Sequence, residues 1–459
     1  MKISLNRLDL TVVIVIAAAL AALGIVLTVG NPTPLQVTCV NAEGCQQVGP
    51  LAEVTLQFSK AVRPALVQKL WKSSASAQGR WVWLDDHSAR WMAEEPLPIG
   101  TQVSFELAPG AIGVYGERLA AAMAWTAAVR TPRVVISIDR QDKTELYVTD
   151  IQAGSTPRQI THTGGNVFDF SISPSGEQIA YSVLNTQNGV DLWIVRRDGS
   201  GEKKLLDCLQ DRCTTPAWSP ISNELAYTRE SAGLDPKGPK GAPRVWILNL
   251  TDNQTEPLLA DAQKVGYGPN WSPDGTLFAI WSGTTGGIQL VDHKGNDLDL
   301  LESSSGETGC WTADSARLYY ADVLASGDRY QNVVLKKDLK QGNASIVLGS
   351  QDGSNPNGYT GPACHPELNQ IAVSVQKNGQ PDNLELDVID LDSKNIQTVA
   401  NDSSKFYSNY SWNPDGTYFV YQVDLKGGKA LSTEIWIWRI DQKQSWKVTG
   451  AGHFPRFLP

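Results

Sequence analysis

The stretch Pro269-Asn270-Trp271-Ser272-Pro273-Asp274-Gly275 runs directly into the apolar segment Leu277–Trp281. Ser272-Pro273-Asp274-Gly275 reads as a type I turn. Proline presets φ at the second position, aspartate tolerates the bridge conformation at the third, and glycine supplies positive φ at the fourth. An aromatic strand before such a turn and a β-rich strand after it predict a hairpin. The hairpin recurs: Phe170-Ser171-Ile172-Ser173-Pro174-Ser175-Gly176, Trp218-Ser219-Pro220, Trp311-Thr312-Ala313-Asp314, Cys364-His365-Pro366 and Trp412-Asn413-Pro414-Asp415-Gly416 occupy the same slot. The markers at 174, 220, 273, 313, 366 and 414 lie 46, 53, 40, 53 and 48 residues apart. One such unit cannot bury its own faces, whereas stacked units can. The uneven spacing suits propeller blades, whose loops vary, better than a rigid solenoid.

The two ends settle the expected number of blades. Before the first marker, Val134–Ile138, Glu145–Val148 and Gln159–Thr161 match the second, third and fourth strands of a repeat that lacks its innermost one. At the other end Pro455-Arg456-Phe457-Leu458-Pro459 aligns with Pro269–Pro273 and with Pro216-Ala217-Trp218-Ser219-Pro220. The expected fold class is therefore all-β, with a seven-bladed β-propeller over 134–459. Closure by the distant tail leaves no exposed sheet edge; a free tail would instead leave six blades.

Two segments carry a family resemblance. Trp271–Gly275 with Phe278–Trp281, and Asp191-Leu192-Trp193-Ile194-Val195 followed by Asp198-Gly199-Ser200-Gly201, resemble the TolB-type propeller repeat over Val134 to Pro459. TolB has six blades and works in the periplasm through protein contacts, which is what the resemblance implies for function. Similar repeats form the propeller half of prolyl-oligopeptidase-like enzymes, where a separate hydrolase domain does the chemistry.

The segment before the propeller divides in two. In 1–31, Lys2 and Arg7 precede Leu10–Val29, which is free of charge and long enough to cross a bilayer as a helix. An uncleaved anchor is expected, with the basic end cytoplasmic and everything after it outside. A cleaved signal peptide ending near Gly30 is the alternative. In 32–131, strand-like runs at Leu35–Val40, Ala52–Phe58, Arg80–Leu84, Gln102–Leu107 and Met123–Val129 predict a small β-sandwich. Val54–Val62, Pro96–Thr101 and Ala108–Ala111 resemble the bacterial Ig-like domain of S-layer and surface proteins, which implies a spacer or an adhesion module. Trp71, Trp81, Trp83, Trp91 and Trp125 could form a recognition stripe. Trp81 and Trp83 share a strand face, so core packing is the expectation.

Motifs for chemistry are sparse. There is no Gly-x-Ser-x-Gly elbow, no His-x-x-x-His spacing among the five histidines and no zinc-type cysteine pairing. Cys364 and His365 are adjacent on a strand, so they point to opposite faces and suit a nucleophile–base pair poorly. The Asp-Gly pairs are turn residues without the dense oxygen donors that calcium needs. The reading is accordingly that the chain is not an enzyme and carries no catalytic, cofactor-binding or metal site. Net charge is −9 with both signs interspersed, so no nucleic-acid footprint is present. The six cysteines fit an oxidising compartment: Cys39 with Cys45 and Cys208 with Cys213 could close small loops or stay as buried thiols. Cys310 and Cys364 stand one residue out of step on adjacent inner strands, so their side chains face one another across a blade interface.

What is left is a binding surface. The loops Glu230–Arg244, Leu324–Asn332, Gly349–Gly361, Asp402–Tyr410 and Asp424–Glu434 belong to one propeller face. With their neighbours they bring Tyr267, Tyr330, Tyr359, Phe406, Tyr407 and Tyr410 to it. Aromatics on loops of a rigid scaffold suit recognition. The expected function is a membrane-anchored, extracytoplasmic envelope protein, at the cell surface or in the periplasm, whose propeller binds a protein or peptide partner. A glycan- or cell-wall-binding module and a propeller enzyme with dispersed active-site residues are the alternatives.

Overall fold

The computed structural model describes residues 34–459 except 42–43, 75–78, 234–237, 327–328, 381–383 and 427–431, and before them residues 12 and 15–19. Most of the expected anchor over 10–29 thus falls outside the described residues, among which no helix is long and apolar enough to cross a membrane.

Residues 35–130 form two facing sheets. One orders its strands Val37–Cys39, Glu53–Phe58, Ser88–Ala93, Gly79–Trp83; the other Gln47–Val48, Met123–Val129, Gln102–Leu107, Trp71–Ser73. Alternation in Gln102–Leu107 sends Val103, Phe105 and Leu107 inward, where they meet Val54, Leu56 and Phe58 in one core. A short helix, Pro64–Leu70, opens on its proline, whose missing N–H costs nothing at that position. This helix and the strands Ser88–Ala93 and Trp71–Ser73 are additions to the sequence reading. Trp71 sits within 6 Å of the rings of Trp81, Trp91, Phe105 and Trp125, so the tryptophans pack together rather than line a stripe.

From Arg133 onward the chain makes four-stranded antiparallel units, each running from an inner to an outer strand, two of which are joined into one eight-stranded sheet by a parallel bridge between Val190 and Arg212. The inner strands are Val167–Ile172, Arg212–Trp218, Tyr267–Trp271, Cys310–Trp311, Gly358–Cys364 and Lys405–Trp412. The turn chemistry is as read: Gly275 has φ +68° and donates its N–H to the Ser272 carbonyl at 2.8 Å, and Gly176 and Gly416 repeat the conformation. The sheet made by Arg133–Arg140, Lys143–Asp150 and Arg158–Gln159 takes its inner strand from His453–Leu458, in antiparallel register with Val134 opposite Phe457. Residues more than three hundred positions apart thus close the ring, which is the topology of a propeller.

Neighbouring sheets are joined by a repeated contact. The indole N–H of Trp218 donates to the Ser171 carbonyl, Trp271 to Ala217, Trp311 to Asn270 and Trp412 to Ala363, all at 3.1–3.2 Å. Each acceptor lies just before the corresponding inner-strand residue of the preceding sheet. Cys364 takes the tryptophan's place in its own strand and is bonded to Cys310, the residue just before Trp311. The disulfide therefore spans the seam that an indole bridges elsewhere. Cys39–Cys45 and Cys208–Cys213 are also bonded.

The sandwich rests on the closing seam. Arg130, buried, donates to the Pro459 carbonyl at 3.0 Å and to the Ser175 carbonyl, and pairs with Glu177 at 2.6 Å. Arg197 reaches the same Pro459 carbonyl at 2.6 Å. A Cβ on Gly49 would come within 2.8 Å of the Ser175 carbonyl, so only glycine allows this approach.

Candidate functional site

Inner strands of the ring carry a bulge at a fixed place. Register slips between Thr214 and Ala217, Tyr267 and Asn270, Thr360 and Ala363, and Ser408 and Ser411. Three residues before each strand's terminal aromatic or cysteine, Thr215 (φ 48°), Gly268 (66°), Gly361 (60°), Asn409 (46°) and Phe454 (53°) adopt left-handed backbone. That region is tolerable for glycine and asparagine but costly for a β-branched threonine.

The surroundings hold these bulges in place. The Thr215 N–H donates to the Asp169 carboxylate at 2.8 Å, Gly268 to the Thr228 hydroxyl at 3.1 Å and Phe454 to the Gln422 side-chain oxygen at 3.0 Å. Each catching side chain comes from the preceding sheet. Bulges re-aim side chains and cluster at barrel rims and active sites, and here they surround the ring's axis. Burial pushes the Asp169 carboxyl above its ordinary pKa, against hydrogen bonds from Ser182 and Thr215.

A cavity of about 670 Å³ opens at this level, lined by residues of the inner strands Tyr267–Trp271, Gly358–Cys364, Lys405–Trp412 and His453–Leu458 and by the connection at 306–309. It lies within the usual size range of ligand sites. Tyr267 and Phe406, each 37% exposed, stand on its wall; Trp281 packs on Tyr267 with ring centres 5.3 Å apart, and the Lys426 ammonium lies 4.3 Å from the centre of the Phe406 ring.

The six predicted aromatics separate. Tyr330 is 81% exposed on the long hairpin of Arg317–Ser326 and Arg329–Asp338, which replaces the expected loop, and it does not line the cavity. Tyr359 and Tyr407 are corrections: both are buried, Tyr359 away from the cavity and Tyr407 bordering it from within the core. The Tyr407 hydroxyl is closed off by the Asp402 backbone, and Tyr359 accepts from the Asn355 side chain at 3.2 Å. Tyr410 lines the cavity but spends its hydroxyl on the Gly361 carbonyl (2.5 Å) and the Ser374 N–H (3.0 Å); burial pushes that hydroxyl's pKa up.

The bulge explains the split. One extra residue inverts the alternation upstream of it. Tyr359 and Tyr407, five before Cys364 and Trp412, therefore turn onto the buried face, and Tyr267 and Phe406, four and six before their tryptophans, turn outward. A αL-tolerant residue three before each aromatic was the available signal, in Gly268, Gly361 and Asn409. Also missed were two charged residues of this cavity, Glu307 and Arg456.

Elsewhere the chemistry is structural. Cys364 is in a disulfide, and the buried His365 accepts the N–H groups of Glu367 and Leu368 on Nδ1. Burial lowers its pKa. Asp85, Asp86 and His87 bring three potential ligand atoms within 4.8 Å in a surface turn, where Asp85 caps the His87 N–H and Asp86 bonds its ring.

No family model matches the sequence. Over 137 residues it is 28% identical to an uncharacterized protein of Agrobacterium fabrum (strain C58 / ATCC 33970), covering 29% of this chain and 46% of that protein. The chain thus spans under half the length of the curated relative it matches. Among solved structures it is similar to TolB from Acinetobacter baumannii (12% identity, TM-score 0.43, 79% of this chain and 80% of that one). It is also similar to the β-propeller domain of the Trilobed protease from Pyrococcus furiosus (12%, 0.47, 78% and 97%). A puromycin-hydrolyzing peptidase of Mycobacterium tuberculosis is a third (13%, 0.47, 70% and 53%). These likenesses concern the propeller fold. Peptidases stand among them beside TolB, which overturns the expectation that the chain is not an enzyme.

Proposed function

We propose that this is a cell-envelope protein whose propeller, read as seven-bladed, binds a protein or peptide partner at the mouth of its central channel. In this reading residues 10–29 anchor it to the membrane and an Ig-like sandwich displays the ring outside the cytoplasm. The observation that carries the binding site is the aromatic-walled cavity of about 670 Å³ set on bulged inner strands. Its wall aromatics, Tyr267 and Phe406, are the most exposed of the rings that line it, as anchor residues of a recognition site are. Three bonded cysteine pairs support an oxidising compartment.

A photo-crosslinker at position 406 in intact cells should label a discrete partner, whereas one at Tyr115, 89% exposed on the sandwich, should not. Tyr267→Ala in the same protein should cut that labelling about tenfold, the loss of one modest hot spot. Labelling from both positions, or from neither, would remove the cavity as the partner site.

A further inference from the structure

Arg456 breaks the repeat. The residue before the strand's last position, which is Ile172, a tryptophan or Cys364, is Ser171, Ala217, Asn270, Cys310, Ala363 or Ser411 in the other inner strands, all uncharged and none longer than asparagine. In the closing strand the same position, opposite Val135, holds an arginine. Its side chain is solvent-accessible, yet it borders two cavities. One is the aromatic-walled cavity; the other, of about 350 Å³, lies among Phe170–Pro174, Pro216 and Ser411. Arg456 therefore stands in the channel, among inner strands and open to both cavities.

Among the described residues this guanidinium has no carboxylate partner. Its hydrogen bond is local, from Nη1 to the Pro455 carbonyl at 3.0 Å, which leaves most of its five donors unused. The nearby acids are otherwise placed. Asp169 is engaged by Ser182 and Thr215, and Glu177 by Arg130. Glu307 lines the same aromatic-walled cavity but makes no ion pair among the described residues, and burial alone raises its pKa. Enclosure likewise lowers the Arg456 pKa, with no carboxylate acting to restore it. In a chain of net charge −9, an arginine inside the ring with no carboxylate partner among the described residues is unexpected from packing alone. Guanidinium offers a planar fork suited to carboxylates.

We propose that Arg456 is an anion-recognition residue that binds a carboxylate of a peptide threaded into the channel, with Tyr267 and Phe406 holding the flanking apolar part. This rests on the peptide-binding reading above and adds the group that is read. A chain-terminal carboxylate and an acidic side chain share this chemistry.

The test uses the full chain and pools of N-acetylated tripeptides, with retention after ultrafiltration read by mass spectrometry. One pool has free carboxyl ends, a second is the same pool amidated, and a third is amidated but contains Asp or Glu. The free-carboxyl pool should be retained at least about tenfold better than the neutral amidated pool, the equivalent of one charge-assisted bond. Arg456→Gln should erase that difference with an unchanged melting temperature. If Arg456→Gln unfolds, Arg456→Lys serves instead, keeping the charge but losing the fork, and should retain only part of the preference. Retention of the acidic amidated pool, lost in the variant, would uphold the site and assign the carboxylate to a side chain. Equal retention of all pools by the parent chain would overturn the role of Arg456 while leaving peptide binding intact. Retention of none would overturn both.

Discussion

Tryptophan is used in two ways in this molecule. In the sandwich, Trp71, Trp83 and Trp125 fill space around Phe58 and Phe105, and their indole N–H groups find no partner among the described residues. In the ring, Trp218, Trp271, Trp311 and Trp412 each spend the N–H on the preceding sheet. Burial contributes at both sites, but only in the ring does the polar end define a direction. A repeat that must stack on its neighbour at one angle gains more from a directed bond than a core that needs only volume.

The largest effect should come from the closing seam, where a phenylalanine replaces the indole. Phe457 fills the slot of Trp271 in the closing strand and is buried against Val134, Ile136 and Val420. Deleting 455–459 removes that ring, for which truncation alone costs about 3–5 kcal/mol, and bares the edge of Arg133–Arg140. Urea titration should show a loss beyond that range, with self-association through the edge. Wild-type stability in a monomeric product would show that the tail closes nothing.

Next comes the seam where sulfur stands in for the indole. Cys310→Ser with Cys364→Ser opens a loop spanning 54 residues and should cost about 2–4 kcal/mol by the same titration. A thiol reagent should find no free thiol in the double variant, because both sulfurs of the pair are gone and the other two pairs stay bonded. A loss below about 0.5 kcal/mol would make the disulfide incidental to ring stability.

The smallest effect separates the two uses directly. Trp271→Phe leaves the Ala217 carbonyl without its donor and should cost about 1–3 kcal/mol beyond the lost ring volume. Trp125→Phe, which breaks no bond, should cost only the volume. Equal losses, measured by thermal and chemical unfolding, would mean that the indole bridges add nothing to burial.

Much of this architecture was legible because turn chemistry is local. Ser272-Pro273-Asp274-Gly275 states its conformation in four residues, and Pro455–Pro459 matched Pro269–Pro273 closely enough to find its place opposite Val134. The site was less legible, since it depends on counting along a strand. A single bulged residue between Ser408 and Ser411 decides that Tyr407 is core and Phe406 is not, and a count of two per repeat misassigns both. Arg456 is hard to read for another reason: the tail matches the repeat through its aromatic and prolines, and a single departure at a variable position carries no signal of its own.

Arg130 ties the sandwich to the one seam whose strands come from opposite ends of the propeller sequence. A pull between the two domains therefore enters the ring where His453–Leu458 lies antiparallel to Arg133–Arg140. Such a load is shared among several backbone hydrogen bonds in shear rather than opening them singly, and it passes within three residues of the channel wall at Arg456. Tension on the chain and occupancy of the channel thus meet on the same strand.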